Sequence, residues 1–192
     1  MDELVVAERT TEWEVDNNYL LKSIIENGGT AHLVDLEEGN YYELTESMSV
    51  NYPVTLDISN SADAECILYI ETPINCYADV NINCDYTYGD IDPDSYTPDT
   101  KLLYIYSNTA IANVYNGATL TLGEAMYFGG SDEVSETLFN LYGGNIVVND
   151  GSYILSERVN AANMFVVDPR YAEESSLVVN GGVFYGYNPE SV

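Results

Sequence analysis

The chain has 192 residues, 46% of them hydrophobic, and it carries 32 acidic but only 5 basic side chains. This length allows one domain with a sizeable core. The formal net charge of -27 argues against nucleic acid and anionic lipid surfaces as partners, because their phosphates would repel the protein, and it favours cationic surfaces and divalent metals. The same charge also serves solubility, since self-repulsion protects stackable strands from aggregation.

Residues 1–17 form an acidic segment for which we expect irregular structure. The first six residues show no basic region followed by an apolar run, so no signal peptide is expected. No stretch of the chain approaches the roughly 20 apolar residues of a membrane span, so membrane insertion is not expected either.

A short helix is predicted at about residues 18–26, where four apolar side chains recur on one face at helical spacing. Asn17 or Asn18 is the expected N-terminal cap, and Asn27-Gly28-Gly29 ends the helix. A stack of β-coils would expose apolar side chains and unpaired backbone at its first coil. We therefore expect this helix to cap such a stack.

Downstream, a pair of apolar residues two apart returns five times, usually at the start of an Asn- or Gly-rich turn. The pairs are Val54/Leu56, Val80/Ile82, Leu120/Leu122, Ile146/Val148 and Leu177/Val179. One short strand per period of about 26 to 40 residues is typical of a stacked β architecture. We expect Leu120, Ile146 and Leu177 to form one internal ladder with the second members beside it, and Asn149 and Asn180 to bridge adjacent coils.

Further alignments indicate more than one strand per period. The segment from Asn113 matches the segment from Asn140, and residues 67–70 match residues 102–105, which places Tyr69 opposite Tyr104. Several strands per period with no helix between them favour a parallel β-helix over a leucine-rich horseshoe or a propeller. An antiparallel sandwich remains the main alternative.

The step from Val80 to Leu120 is longer than its neighbours by about fourteen residues. The surplus coincides with residues 85–100, which are too rich in Pro and Asp to form a core strand. We predict a loop that bulges from the side of the stack.

The acidic residues of this loop alternate as in a calcium-binding loop, and the candidate ligands are Asp90, Asp92, Asp94 and Asp99. The complete EF-hand pattern is not present, because Ser95 stands where that pattern requires glycine. Calcium binding is therefore one interpretation, and an ordinary solvated acidic loop is the other.

The chain is also rich in tyrosine, with eighteen residues of this type. If the neighbouring Leu and Ile residues face inward, Tyr69 and Tyr104 face outward on one side of the stack, with Tyr106 beside Tyr104. Exposed aromatic side chains stack on sugar rings and anchor protein interfaces, although they also simply suit β-strands. The candidate binding residues are Tyr69, Tyr86, Tyr88, Tyr96, Tyr104 and Tyr106.

The three cysteines, Cys66, Cys76 and Cys84, have no C-x-x-C spacing. Their number is odd, and Cys66 and Cys84 stand beside β-like runs, which indicates that these two are small buried hydrophobic residues. Neither a disulfide framework nor a zinc site is expected.

The helix and the segments at 26–34, 38–42 and 54–57 resemble the N-terminal cap and opening coils of right-handed parallel β-helix proteins of the pectin-lyase-like group. The ending at 177–189, LVVNGGVFYGYNP, is similar to a phrase in predicted appendage proteins of gut bacteriophages and in surface proteins of gut bacteria. The resemblance covers most of the chain from about residue 18. It implies an all-β fold, a right-handed parallel β-helix over 18–192, in a virion or cell-surface protein.

The same resemblance implies an outer surface that contacts a host glycan or another virion or surface protein, and a homotrimer is one assembly that it allows. The pectin-lyase-like group also contains polysaccharide lyases and hydrolases. A lyase would pair calcium-binding carboxylates with a basic residue, and the chain offers only Lys22, Lys101, Arg9, Arg158 and Arg170. A hydrolase would need converging carboxylates.

With 32 acidic residues, some carboxylates lie close by chance. The sole histidine, His32, alternates outward near the cap, where we expect it to be inert. We therefore expect a non-enzymatic structural or adhesin-like module without a required cofactor, and a polysaccharide-degrading enzyme is the alternative.

Overall fold

The structure, a computed structural model, describes residues 11–36, 40–59, 66–83, 103–129, 137–156 and 164–186. Within these ranges the protein is all-β, with three parallel sheets, one α-helix (α1, Asn18–Asn27) and one 3-10 helix (Pro169–Tyr171).

Each sheet consists of strands from successive turns of the chain. Sheet A contains β1 (Glu12–Val15), β2 (Gly29–Leu33), β5 (Val54–Ile58), β8 (Val80–Ile82), β11 (Thr119–Leu122), β14 (Asn145–Val148) and β17 (Ser176–Val179). Sheet B contains β3 (Tyr42–Leu44), β6 (Cys66–Ile70), β9 (Leu103–Ser107), β12 (Ala125–Gly129), β15 (Ser152–Ser156) and β18 (Val183–Gly186). Sheet C contains β4 (Ser49–Val50), β7 (Ile74–Cys76), β10 (Ala112–Tyr115), β13 (Phe139–Tyr142) and β16 (Phe165–Val167).

From β2 onward the chain visits sheets A, B and C in turn, so that each coil contributes one strand to every sheet. All pairs between the described strands are parallel, which rules out the antiparallel sandwich for this part of the chain. The architecture is that of a parallel β-helix, consistent with the right-handed form that parallel crossovers adopt.

Helix α1 covers the first coils, as the sequence predicted. Its N-terminal cap is Asn17, whose Oδ1 accepts a hydrogen bond of 2.9 Å from the backbone N–H of Leu20. The helix ends at Gly28, which takes a φ of 82° that favours glycine. Leu21 and Ile25 are fully buried against the core, so the helix shields apolar side chains of the opening coils.

Strand β1 corrects the expectation of irregular structure before residue 18. Glu12–Val15 pairs in parallel with β2 and adds a seventh strand to sheet A. Trp13 and Val15 lie on the face that contains Ala31 and Leu33, but only Val15 is buried and the other three residues of the strand are exposed. The segment alternates Glu-Trp-Glu-Val, but four residues are too few for that pattern alone to predict a strand, and the pairing with β2 supplies its backbone hydrogen bonds.

The two predicted internal ladders are confirmed by the strand register. One joins Val54, Val80, Leu120, Ile146 and Leu177, and the second members of the five pairs align beside it. The first four rungs are buried, whereas Leu177 on β17 is 42% exposed. The Asn180 amide also donates a hydrogen bond of 3.0 Å to Asn149 Oδ1, as expected.

The predicted register of β6 with β9 is wrong by two residues. Tyr69 pairs with Tyr106 rather than with Tyr104, and Ile67 stands opposite Tyr104. A shift of two residues keeps every side chain on the same face, so the hydrophobic pattern could not detect it. The Ser107 hydroxyl, which donates a hydrogen bond of 2.7 Å to the Ile70 carbonyl, stabilises the actual register.

The core is largely apolar and includes two buried tyrosines, Tyr42 and Tyr127, the second of which donates a hydrogen bond of 3.1 Å to the Gly123 carbonyl. The Tyr42 hydroxyl lies within hydrogen-bond distance of the backbone carbonyls of Val34, at 2.7 Å, and Val15, at 2.5 Å, which share its one proton, and so it ties β1 to sheet B. Burial raises the pKa of this phenol. Cys66 is free and buried, as predicted, and Cys76 is free and buried as well, whereas Cys84 lies outside the described residues.

Candidate functional site

The outer face of sheet B is almost entirely apolar. Its side chains form two columns across the coils, since residues in register stand directly above one another. The first column contains Glu43, Tyr69, Tyr106, Phe128, Leu155 and Tyr185. The second column contains Ile67, Tyr104, Met126, Tyr153 and Val183. Glu43 is the one charged residue among these eleven described positions, so this face differs from the polar face of a typical solvated strand.

Aromatic rings dominate the middle of this face. Tyr69 stacks on Tyr106 with ring centroids 5.4 Å apart, and Tyr106 stacks on Phe128 at the same centroid distance. Tyr104 lies nearly parallel to Tyr106, at 10° and 6.5 Å, and also stacks on Phe128 at 5.9 Å. The outward direction predicted for Tyr69, Tyr104 and Tyr106 is confirmed, because each alternates with buried neighbours in its strand.

An open groove of about 540 Å³ lies beside these rings, at the place where the second column has Ile67 instead of an aromatic residue. Its lining residues, called the tyrosine groove below, are Tyr41, Ile67, Tyr69, Tyr104, Tyr106 and Asn108. Tyr41 meets Tyr69 edge to face, with centroids 6.3 Å apart and planes at 87°. The groove therefore has aromatic walls in two nearly perpendicular orientations.

The Asn108 side chain contacts the hydroxyl groups of two tyrosines in the groove. The Tyr106 hydroxyl donates a hydrogen bond of 2.5 Å to Asn108 Oδ1, and the Asn108 amide lies 3.5 Å from the Tyr69 hydroxyl oxygen. Burial is the main cause of a raised pKa for Tyr69, and the carboxylates of Glu71 and Glu43 raise it further.

A second tyrosine column, which the sequence interpretation missed, stands on the outer face of sheet C. Tyr77, Tyr115 and Tyr142 stack at 4.8 and 4.9 Å, and Tyr171 closes the column edge to face. Burial and the neighbouring phenols raise the pKa of Tyr115. The rings of this column stack on one another, and none of them lines the tyrosine groove.

An asparagine ladder runs beside the second tyrosine column. The Asn113 amide donates to Asn75 Oδ1 and the Asn140 amide donates to Asn113 Oδ1, both at 3.0 Å. The motif Asn-x-Tyr at 75–77, 113–115 and 140–142 was the sequence signal for both columns. These side chains satisfy each other, which identifies the ladder as a device that holds the coils together.

His32 lies on the outer face of sheet A, between the buried residues Ala31 and Leu33. Its ring nitrogens are 3.9 Å from the nearer carboxylate oxygen of Glu12 and 3.6 Å from that of Asp57. This cluster is small and open to solvent, and sheet A separates it from the tyrosine groove. The expectation that His32 is inert stays a prediction.

The loop residues Tyr86, Tyr88 and Tyr96, and the candidate calcium ligands Asp90, Asp92, Asp94 and Asp99, lie outside the described residues. Within the part of the chain that the structure describes, no three His, Cys, Asp or Glu side chains converge as metal ligands. Among the described residues, no helix has the length and apolarity that crossing a bilayer requires.

Comparison with known proteins adds no relative to these observations. No protein-family profile, curated protein or solved structure matches the chain. Support for the stacked parallel sheets comes from the strand pairing of the described residues.

Proposed function

We propose that this chain is a non-enzymatic β-helix module of a virion appendage or cell surface that binds a host-surface glycan through the tyrosine groove. The observation that carries the proposal is the groove itself, where four tyrosines and Asn108 line one concavity on an otherwise apolar sheet face. Concave sites of about this volume, with apolar walls and a few fixed polar groups, are typical of small-ligand recognition.

The chemistry of the groove suits a sugar. Tyrosine presents a broad apolar surface at low entropic cost, together with a hydroxyl that donates and accepts hydrogen bonds. Because Tyr69 and Tyr106 stand on neighbouring strands of one sheet, the parallel stack holds their phenols at fixed separation. A glycan would therefore meet a preorganised surface and would lose little affinity to ordering of the protein.

The proposed setting on a virion or cell surface comes from the resemblance of residues 177–189 to phage appendage and bacterial surface proteins. Another virion or surface protein is the alternative partner for the apolar face of sheet B, and a homotrimer would bury the same face. Calcium binding by the 85–100 loop is a separate proposal, because Asp90, Asp92, Asp94 and Asp99 lie outside the described residues.

The test is retention of the purified chain on bacterial cells and their polysaccharides, with calcium present or chelated, together with an assay for released sugar. Tyr41→Ala is the informative variant and Tyr77→Ala its matched control, because these tyrosines are 46% and 45% exposed and adjoin strands of different sheets, β3 of sheet B and β7 of sheet C. Loss of retention in Tyr41→Ala alone, without sugar release, is the expected result. Equal retention of both variants would refute the proposed site, and sugar release would establish the enzymatic alternative.

A variant that lacks residues 86–99 separates the groove from the loop. If retention depends on the groove, the deletion leaves it in place, with or without calcium. Loss of retention on deletion or on chelation would instead assign the binding role to the loop tyrosines and carboxylates.

A further inference from the structure

The tyrosine groove lies in a negative field. Its six lining residues include no charged side chain, but Glu43 stands beside Tyr69 in the register of β3 and β6. The carboxylates of Glu43 and Glu71 both act on the Tyr69 phenol. With a net charge of -27 for the whole chain, an anionic ligand such as a uronic acid polymer would be repelled from this face.

The ring arrangement suits a cation. The face of an aromatic ring attracts a positive charge within about 6 Å of the ring centroid, and tyrosine is among the effective partners. Tyr41 and Tyr69 meet at 87° with centroids 6.3 Å apart, so a small cation at this corner approaches both rings. The flanking carboxylates strengthen the attraction, because their field has the same sign as that of the ring faces.

The polar groups of the groove distinguish between kinds of cation. The phenol oxygens of Tyr69 and Tyr106, positioned by Asn108, have lone pairs that accept hydrogen bonds. A primary ammonium donates three hydrogen bonds, whereas a quaternary ammonium donates none. A primary ammonium therefore uses both the rings and the oxygens of the groove, and a quaternary ammonium uses the rings alone.

We propose that the tyrosine groove binds the protonated amine of an unacetylated amino sugar within a polysaccharide, which rests on the glycan-binding function proposed above. The charged amine occupies the corner between Tyr41 and Tyr69, and the sugar ring lies along Tyr104 and Tyr106. The ligand class is thus a cationic glycan.

The test compares two oligosaccharides that share one backbone, a β-1,4-linked glucosamine oligomer and its fully N-acetylated counterpart. Calorimetric titrations of the intact chain are made at a pH at which the amine is protonated, at low and at high salt. We expect the glucosamine oligomer to bind at least about tenfold more tightly, because acetylation removes both the charge and two of the N–H donors.

Variants separate the groove from diffuse attraction by an acidic protein. Tyr41→Ala should weaken glucosamine binding by about fivefold to tenfold, while Tyr77→Ala changes it by less than about twofold. Glu43→Gln with Glu71→Gln should weaken it by about threefold to tenfold and reduce its salt dependence. Asp150→Asn with Glu173→Gln removes the same charge elsewhere and should have little effect.

The outcomes keep the two proposals apart. If both oligomers bind equally, or the acetylated one binds more tightly, and Tyr41→Ala weakens binding, the cationic ligand is refuted while glycan binding at the groove stands. If Tyr41→Ala leaves glucosamine affinity unchanged and both pairs of charge-removing substitutions weaken it equally, the attraction is diffuse and the inference is refuted. If no glycan of a broad panel binds, the proposed function fails as well.

Discussion

Removal of one amide from the middle of the asparagine ladder should destabilise the fold more than removal of an exposed asparagine that makes a single bond of the same kind. Asn113 makes two hydrogen bonds of 3.0 Å, one to Asn75 and one to Asn140, and all three side chains are partly buried. Asn113→Ala leaves an amide donor and an acceptor oxygen of its neighbours without these partners. At about 0.5–1.5 kcal/mol of net stability for each hydrogen bond, the expected loss is about 1–3 kcal/mol.

The matched control is Asn180→Ala, which removes a single amide bond, to Asn149, from an exposed position. Its expected cost is below about 1 kcal/mol. Urea unfolding followed by tyrosine and tryptophan fluorescence measures both variants, and the slope against urea should stay unchanged. For a chain of this size the Asn113→Ala loss corresponds to a fall in Tm of about 2–4 °C per kcal/mol. An equal loss of stability in the two variants would refute the stabilising role of the asparagine ladder.

Three further predictions concern the core. Tyr42→Phe should cost about 1–3 kcal/mol, because the carbonyls of Val15 and Val34 share this hydroxyl as a donor and lose it. Burial raises the pKa of Tyr42, so the native protein loses stability as pH rises above the ordinary tyrosine value of 10.0. Urea unfolding in alkaline buffer should show a smaller loss of stability for Tyr42→Phe than for the unchanged protein. Gly144→Ala should unfold more readily than Gly117→Ala in thermal melts, because its new Cβ would lie 2.7 Å from a backbone carbon of Val114, whereas that of Gly117 meets nothing within 4 Å and Gly117→Ala carries only the backbone strain of a φ of 80°. In a Cys84→Ser background, Cys76 should react with thiol reagents only after unfolding, since burial raises its pKa to about 12, and modification in the native state would contradict its place in the core.

The sequence predicted the interior of the stack well because the interior repeats. Val54, Val80 and Leu120 occupy equivalent positions in successive coils, and a parallel stack brings equivalent positions into direct contact. The helical cap was equally visible, because Asn17 and Gly28 are local signals that need no tertiary context.

The outer surface was harder to predict. The period of two assigns a side chain to a face but leaves the register open, which is why Tyr69 was paired with Tyr104 instead of Tyr106. The groove itself depends on Ile67 opposite Tyr104, on Tyr41 from the turn before β3 and on Asn108 after β9. No local pattern joins these residues, since only the register of the coils brings them together.

The central claim, that a glycan binds in the tyrosine groove, is tested most directly by chemical nitration of tyrosines with and without the retained polysaccharide, followed by peptide mass spectrometry. Tyr41, Tyr69, Tyr104 and Tyr106 should be protected by the polysaccharide, whereas Tyr77, which is as exposed as Tyr41, should react equally in both samples. Unchanged nitration of the groove tyrosines, or protection of Tyr77 in their place, would contradict the proposed site.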